Sequence, residues 1–362
     1  MELLQCNKRD YPDYLRFVKG IYNKYPQYKD SSTPVLKQFL YKRGAFCSRL
    51  EITPMMVKKG NKIIATCMYI ISKSYEKVLQ VAFFEALENQ QEAVDLLMEK
   101  AKHICKEKGL NKIVIGLNGH VNYSIGFLCD KYDAEISFGS SYNPSYYVNY
   151  FSKYNPCQYR MVSYSNRMSA LNFAKYQRIL ERVNNRFNYR SIDFRNFRKE
   201  MKIYTELNNI CFQHHPFYFP RNADEDYELF RELKFFLREE NLIFVQDGDK
   251  IAGYLLWYPD FHELLGDGKT VGIDTVIKNR LFPQRIKKMK IVEIAVLPEY
   301  QNSGAILGLL YECYKRTSHR FDTCETSWIF ESNYKSSNFG LKLLTHEYKH
   351  YVTYEISLQE EL

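Results

Sequence analysis

The sequence is short of the features that assign a protein quickly. Its nine cysteines are odd in number, scattered and nowhere spaced as CxxC, which excludes a disulfide framework and a structural zinc site of the usual spacing. Reduced, mostly buried thiols are expected. No apolar run reaches the roughly 18 residues that cross a bilayer, and the opening MELLQCNKRDYPDY carries charges where a signal peptide needs an apolar core. A soluble, cytoplasmic protein with no membrane partner is the expectation. There is no Pro/Gly/Ser-rich or low-complexity linker, no GxSxG elbow, no Walker glycine loop and no catalytic-cysteine context. His214 and His215 are adjacent, so their side chains diverge, and no carboxylate stands at ligand spacing beside them. No metal is expected.

Lysine and arginine number 51 against 42 acidic residues, a formal charge of +9 that is moderate for this length. The densest basic piece is KNRLFPQRIKKMK, residues 278 to 290. A solvated face is the ordinary reading of such a run, and an anionic ligand is the other. The 31 tyrosines do not alternate with basic residues in one patch, as a platform for single-stranded nucleic acid requires, so nucleic acid is not an expected partner. Oligomeric state leaves no mark in the sequence.

What is present is a repeat. At 362 residues the chain is long enough for two domains. VKKGNKIIATCMYI, from Val57, aligns without a gap on VQDGDKIAGYLLWY, from Val245, matching Gly60 with Gly248, Lys62 with Lys250 and Ile63 with Ile251. Two β-prone runs about a polar turn with glycine mark a hairpin in each. VAFFEAL (81 to 87) then leads into the amphipathic run QEAVDLLMEKAKHICKEKG and the strand-like NKIVIGL, while VEIAVL leads into AILGLLYECYKRTSH and CETSWIF. Each half therefore offers a βαβ crossover after its hairpin. Helical spacing upstream, as at Tyr227, Phe230 and Leu233, supplies helices before each hairpin. FNYRSIDF (187 to 194) reads as an opening strand and 169 to 185 as a joining helix. The expected division is a first lobe over 1–165, a connecting helix over 166–186 and a second lobe over 187–362, packed tightly.

The order strand, helices, hairpin, strand, turn, helix, strand, helix, strand resembles the GNAT superfamily of acyl-CoA-dependent N-acyltransferases. The residues that carry the resemblance are EIAVLPEYQNSGAILGLLYE. In the superfamily's acyl-CoA motif a strand and a proline-containing turn precede Gln or Arg, two residues, Gly, one residue, and Gly or Ala. Gln301 and Gly304 fit, and Ile306 departs in the final position. In SWIFESN, Asn333 follows the next strand much as the superfamily's late asparagine does. The resemblance runs over nearly the full length and implies an α+β fold with a mixed sheet, a tandem duplicated GNAT-like acyl-CoA N-acyltransferase. It implies acetyl-CoA or another acyl-CoA as cosubstrate and a small-molecule or peptide amine as acceptor. A two-lobed Fem-type transferase using charged tRNA resembles tandem GNAT folds as well. The reading from another class is a GNAT-like binding scaffold without catalysis, which Ile306 and the lack of the superfamily's tyrosine favour and Glu293 and the retained Gln301 to Gly304 turn oppose.

A helix N-terminus has amides without intrahelical partners and the positive end of the helix dipole, so it suits a pyrophosphate, and glycine permits close approach. Gln301, Asn302, Ser303, Gly304 and Ala305 are the expected cradle. By resemblance, the backbone of Ala295 and Val296 pairs with the pantetheine arm and the strand carboxylate Glu293 is the base that takes the amine proton. An ion-paired or solvated strand glutamate is the plain alternative. The superfamily often places a tyrosine seven residues beyond the late asparagine as acid, and that count from Asn333 lands on Gly340, leaving Tyr334, Tyr348 or Tyr351 as substitutes. Glu325 and Glu331 are candidates for the acceptor pocket, and FQHHPFYF for an aromatic wall of the cleft. The matching turn of the first half, ALENQQEAVDLL, has no glycine and carries Glu88 and Glu92, which would cap the helix and repel phosphate. The first lobe is therefore expected to lack cofactor and to buttress the second or shape an acceptor groove.

Overall fold

The computed structural model describes residues 1–266, 269–334 and 346–358, and within them the chain runs twice through one order of elements. The first run is β1 (Glu2–Gln5), α1 (Tyr11–Tyr22), α2 (Thr33–Leu40), α3 (Gly44–Ser48), β2 (Leu50–Lys59), β3 (Lys62–Ser72), β4 (Tyr75–Ala86), α4 (Gln91–Lys108), β5 (Lys112–Ile115), β6 (Phe127–Leu128), α5 (Tyr147–Ser152) and β7 (Cys157–Arg167). The second is α6 (Gln177–Arg186), β8 (Phe187–Ser191), α7 (Phe197–Cys211), α8 (Ala223–Leu233), β9 (Leu242–Asp247), β10 (Lys250–Pro259), α9 (Ile273–Leu281), β11 (Lys288–Val296), α10 (Ala305–Thr317), β12 (Thr323–Thr326), β13 (Ile329–Phe330) and β14 (His346–Ser357).

The repeated hairpins are β2–β3 and β9–β10. Their turn glycines, Gly60 and Gly248, both sit at φ 60°, the left-handed region in which a side chain is strained. The joining helix begins later than residue 169 because Asn172 Oδ1 accepts from the Ala174 amide at 3.0 Å, a local bond that competes with the helix. The opening strand ends at Ser191, and Asp193 then caps the Arg195 amide at 2.9 Å.

Among the described residues all strands join one mixed sheet, ordered β1-β2-β3-β4-β5-β14-β7-β12-β11-β10-β9-β8, with β6 on β14 and β13 on β7. The β4–β5 and β11–β12 pairs are parallel, and the other strand pairs among the described residues are antiparallel. The last strand of each run lies in the other run's half of the sheet: β14 is laid on β5, and β7 is laid on β12. The halves are therefore woven at the centre, not tied by a linker. α4 buries Val94, Leu97, Met98, Ala101 and Cys105 at helical spacing against the first half, and α10 buries Leu309, Leu310 and Cys313 against the second.

The segment 212–221 and the start of α8 after it hold the halves together. Phe219 is buried in the first half's aromatic cluster, and its carbonyl meets His120 Nε2 at 3.0 Å. Arg49 donates to Glu225 at 2.9 Å, and the Ala45 amide to Glu228 at 2.5 Å.

Candidate functional site

A cleft of about 2390 Å³ runs along the face between the two halves. At its second-half end it is made by strand divergence. β11 and β12 pair from Lys288 with Thr323 to Ile291 with Thr326, and the Ser327 amide still reaches the Ile291 carbonyl at 2.8 Å. Beyond Ile291, β11 continues to Val296 beside β10, while the chain after β12 turns to β13 and pairs with β7. The notch left between β11 and β12 opens toward the N-terminus of α10.

That N-terminus is built by two residues with positive φ, Asn302 at 68° and Gly304 at 87°. Ser303 Oγ donates to the Tyr300 carbonyl at 2.7 Å and accepts from the Ala305 amide at 3.2 Å, and the Gly308 amide reaches Gly304 at 3.0 Å. Among the described residues the amides of Asn302, Gly304, Ile306 and Leu307 find no protein acceptor. All four donors belong to residues that line the cleft at the positive end of a helix dipole, a donor set that fits a phosphate group. Gln301, Asn302, Ser303, Gly304, Ala295, Val296 and Asn333 all line this cleft, and Ala305 does not: it is fully buried and its amide is taken by Ser303. Ile306 both lines the cleft and packs on the second half's core. A Cβ on Gly304 would lie 2.5 Å from Val183 Cγ2 on α6, so glycine is required there by the chain itself.

Glu293 stands at the notch, next to Val292, the extra residue of a β-bulge in β11: Glu293 pairs with Leu256 and Ile291 with Trp257. Three donors converge on its Oε2, namely Tyr204 Oη at 2.6 Å, Tyr254 Oη at 3.0 Å and Asn208 Nδ2 at 3.1 Å. Tyr204 and Asn208 come from one face of α7, four residues apart, and Asn208 also donates to Tyr254 at 2.6 Å. The carboxylate is therefore fixed in orientation while its side chain lines the cleft. The sequence reading missed this trio, although the i, i+4 spacing of tyrosine and asparagine in IYTELNN was visible.

Other expected residues fall elsewhere. Glu325 is 1% exposed, accepts from Ser137 Oγ at 2.5 Å and belongs to a buried charge cluster with Lys288, Lys290 and Asp260, so it is not an acceptor-pocket residue. Glu331 is exposed and outside the cleft lining. Tyr351 is buried among Val78, Val114 and Leu128, Tyr334 is solvent-exposed, and neither they nor Tyr348 line the cleft. Position 340 lies outside the described residues. The stretch FQHHPFYF divides: Phe212, His214, His215 and Tyr218 line the cleft, whereas Phe217 and Phe219 are buried in the first half. His215 packs 4.8 Å from the Phe330 ring, and burial pushes its imidazole down to about 4.

No family model matches the chain. A curated relative, Protein YghO of Escherichia coli, is 18% identical over 96% of this chain and 93% of its own length. A solved tandem GNAT protein from the clavulanic acid biosynthesis pathway, 10% identical, superposes over 100% of this chain and 99% of its own with a TM-score of 0.55. The chain has a tandem GNAT fold. A glucosamine N-acetyltransferase region of a fungal multi-domain GH3 β-N-acetylglucosaminidase covers 98% of this chain with 38% of its own, at 12% identity and a TM-score of 0.61.

In the first GNAT lobe the equivalent notch is filled. β4 and β5 pair from Val78 with Lys112 to Val81 with Ile115, after which Asn118 Oδ1 accepts from the Phe83 amide at 2.7 Å. Three tyrosines around α5 cover the strand end and the start of α4. Tyr147 Oη accepts from the Ala86 amide at 2.9 Å, Tyr146 Oη donates to the Ala86 carbonyl at 3.0 Å, and Tyr150 Oη accepts from the Gln90 amide at 3.1 Å and bonds the Leu87 carbonyl. At the start of α4 the amides of Ala93 and Val94 both reach the Gln90 carbonyl, while those of Gln91 and Glu92 find no protein acceptor among the described residues. A carboxylate persists there as well: Glu85 accepts from Tyr147 at 2.7 Å and Tyr22 at 2.8 Å, and burial pushes it up to about 8.

Proposed function

We propose that the protein is an acyl-CoA-dependent N-acyltransferase, using acetyl-CoA with the pyrophosphate on the α10 N-terminus, the pantetheine arm along Ala295 and Val296, and Glu293 as the base toward a small-molecule or peptide amine. The observation that carries the reading is the coincidence, in one cleft, of four unpartnered amides, a strand notch and an oriented carboxylate. Fold alone would not license it; a fold neighbour named as a glucosamine N-acetyltransferase region agrees with an amine acceptor. When bound, the cosubstrate supplies a thioester whose carbonyl carbon is open to attack. Glu293 takes the proton from the acceptor ammonium, with Tyr204, Tyr254 and Asn208 keeping its carboxylate aimed, so that the free amine forms the amide bond as the thioester C–S bond breaks and the thiolate leaves to be protonated by solvent. The walls of the cleft hold amine and carbonyl together, which lowers the entropic part of the barrier. The first lobe, its notch filled by tyrosines, binds no acyl-CoA in this reading and serves as the acceptor wall.

The test is calorimetric titration of the full chain with acetyl-CoA. Gln301→Glu and Asn302→Asp are nearly isosteric, and each sets a negative charge beside the cradle. Each should weaken binding about tenfold or more while the thermal transition stays put. Gly304 is unsuited to this experiment because any side chain there strikes Val183. If wild-type protein takes up no acetyl-CoA at millimolar concentration, the catalytic reading falls and a GNAT-like binding scaffold replaces it.

A further inference from the structure

Glu85 is a carboxyl group whose charge burial disfavours, with tyrosine hydroxyls and no cation acting against that shift among the described residues. The side chains that meet it are tyrosines. Tyr22 and Tyr147 hydrogen-bond it, Tyr28 stacks on Tyr22 at 4.1 Å between ring centroids, and Tyr142 stands 5.8 Å from Tyr28 and 6.2 Å from Tyr22. Glu85 and these four tyrosines all line the cleft that holds Glu293 at its other end. A buried carboxyl in the floor of an aromatic box can accept an organic cation by giving up its proton to solvent as the cation docks, the gain coming from one charge-assisted hydrogen bond and the negative faces of the rings. The cleft is also roomier than the roughly 300–1,000 Å³ of an ordinary small-molecule site.

We propose that Glu85, Tyr22, Tyr28, Tyr142 and Tyr147 form a second subsite, in the first lobe, for an ammonium group. The acceptor class follows, and this step rests on the acyltransferase reading: an amine carrying a second cationic centre, one nitrogen acylated beside Glu293 and the other held at Glu85. The filled notch of the first lobe acquires a use, since the tyrosine that closes the strand end, Tyr147, also forms the box.

The experiment is calorimetric titration of the full chain with spermidine, and with butylamine as a one-charge comparison, in the absence of acetyl-CoA. Saturable spermidine binding is expected, with butylamine markedly weaker. Glu85→Gln should weaken spermidine about tenfold and Tyr22→Phe several-fold, while Glu88→Gln, an exposed carboxylate nearby, should change nothing. Tyr22→Phe keeps the ring and so decides the matter if Glu85→Gln lowers the thermal midpoint. Equal spermidine affinity in wild type, Glu85→Gln and Tyr22→Phe, or no saturable binding at all, overturns the subsite. The two proposals fail separately. Spermidine binding lost in Glu85→Gln but no uptake of acetyl-CoA leaves the subsite and removes the transferase; acetyl-CoA uptake with Glu85-independent spermidine binding does the reverse.

Discussion

The two lobes solve the same local problem differently. Each has a parallel strand pair that diverges, a bulged strand ending in a notch, a glutamate beside it and a helix starting just beyond. Both turns even carry an asparagine in the left-handed region, Asn89 at φ 61° and Asn302 at φ 68°. In the second lobe the turn continues into Gly304 and the helix amides stay open to the cleft. In the first, aromatic hydroxyls take up the strand end and the Gln90 amide just before the helix, and the turn has no glycine. A duplicated frame can thus keep its geometry while a few side chains decide whether the helix N-terminus faces a cavity or a packed tyrosine.

Residues 1–165 alone would leave β5 without β14 and β7 without β12, exposing sheet edges at the centre of the fold. This fragment should show no cooperative thermal transition by circular dichroism, whereas the full chain should show one. A fragment that melts cooperatively would mean that the strand exchange contributes little.

The next contrast is between the two glutamates. Glu293→Gln should lower kcat with an amine acceptor by about 10²–10⁴-fold and leave acetyl-CoA affinity alone, the signature of a lost base. Glu85→Gln should act chiefly on KM for a diamine acceptor. If Glu85→Gln proved to be the kcat variant and Glu293→Gln the KM variant, the roles assigned to the lobes would be exchanged.

A smaller effect separates the two turns. Gly304→Ala places a Cβ at φ 87° and against Val183, at a cost of about 1–3 kcal/mol in chemical denaturation. Val183→Ala added to it should return part of that loss. Full stability of the single variant would show that α6 gives way easily, and that the glycine serves a ligand more than the chain.

Much of this frame was legible in the sequence, for physical reasons that differ by element. The hairpins were readable because Gly60 and Gly248 are local conformational needs, and the α10 turn because Gln301, Gly304 and the flanking strand and helix are contiguous. The strand exchange was not readable: pairing of β14 with β5 joins residues more than two hundred apart, and alternation along a strand does not name its neighbour. Glu85 was passed over in VAFFEAL because its environment comes from α1 and α5, far along the chain. Glu325 was misjudged for the same reason, since its position in CETSWIF says nothing of the lysines that bury it.

The finest contrast lies in the titration of Glu85. Burial lifts its carboxyl from an ordinary 4.5 to about 8, the Tyr147 and Tyr22 hydrogen bonds only partly opposing the shift. The other titratable groups facing it are Tyr14 and Tyr22 of α1, Tyr28, Tyr147 of α5 and Tyr146 before it, all raised above the usual tyrosine range by burial and so neutral through this window. Between these pH values the folded chain keeps a proton on Glu85 that the unfolded chain has lost. The stability from this group is therefore complete below about 4.5 and declines as pH rises through about 8. Glutamine imitates the protonated acid. Wild type and Glu85→Gln should melt together near pH 5 and diverge toward pH 9, with the variant higher by roughly a few degrees. Taking the difference between the two curves removes every titration they share. Parallel melting curves across that range would place the Glu85 carboxyl in water and not among the tyrosines of the first lobe.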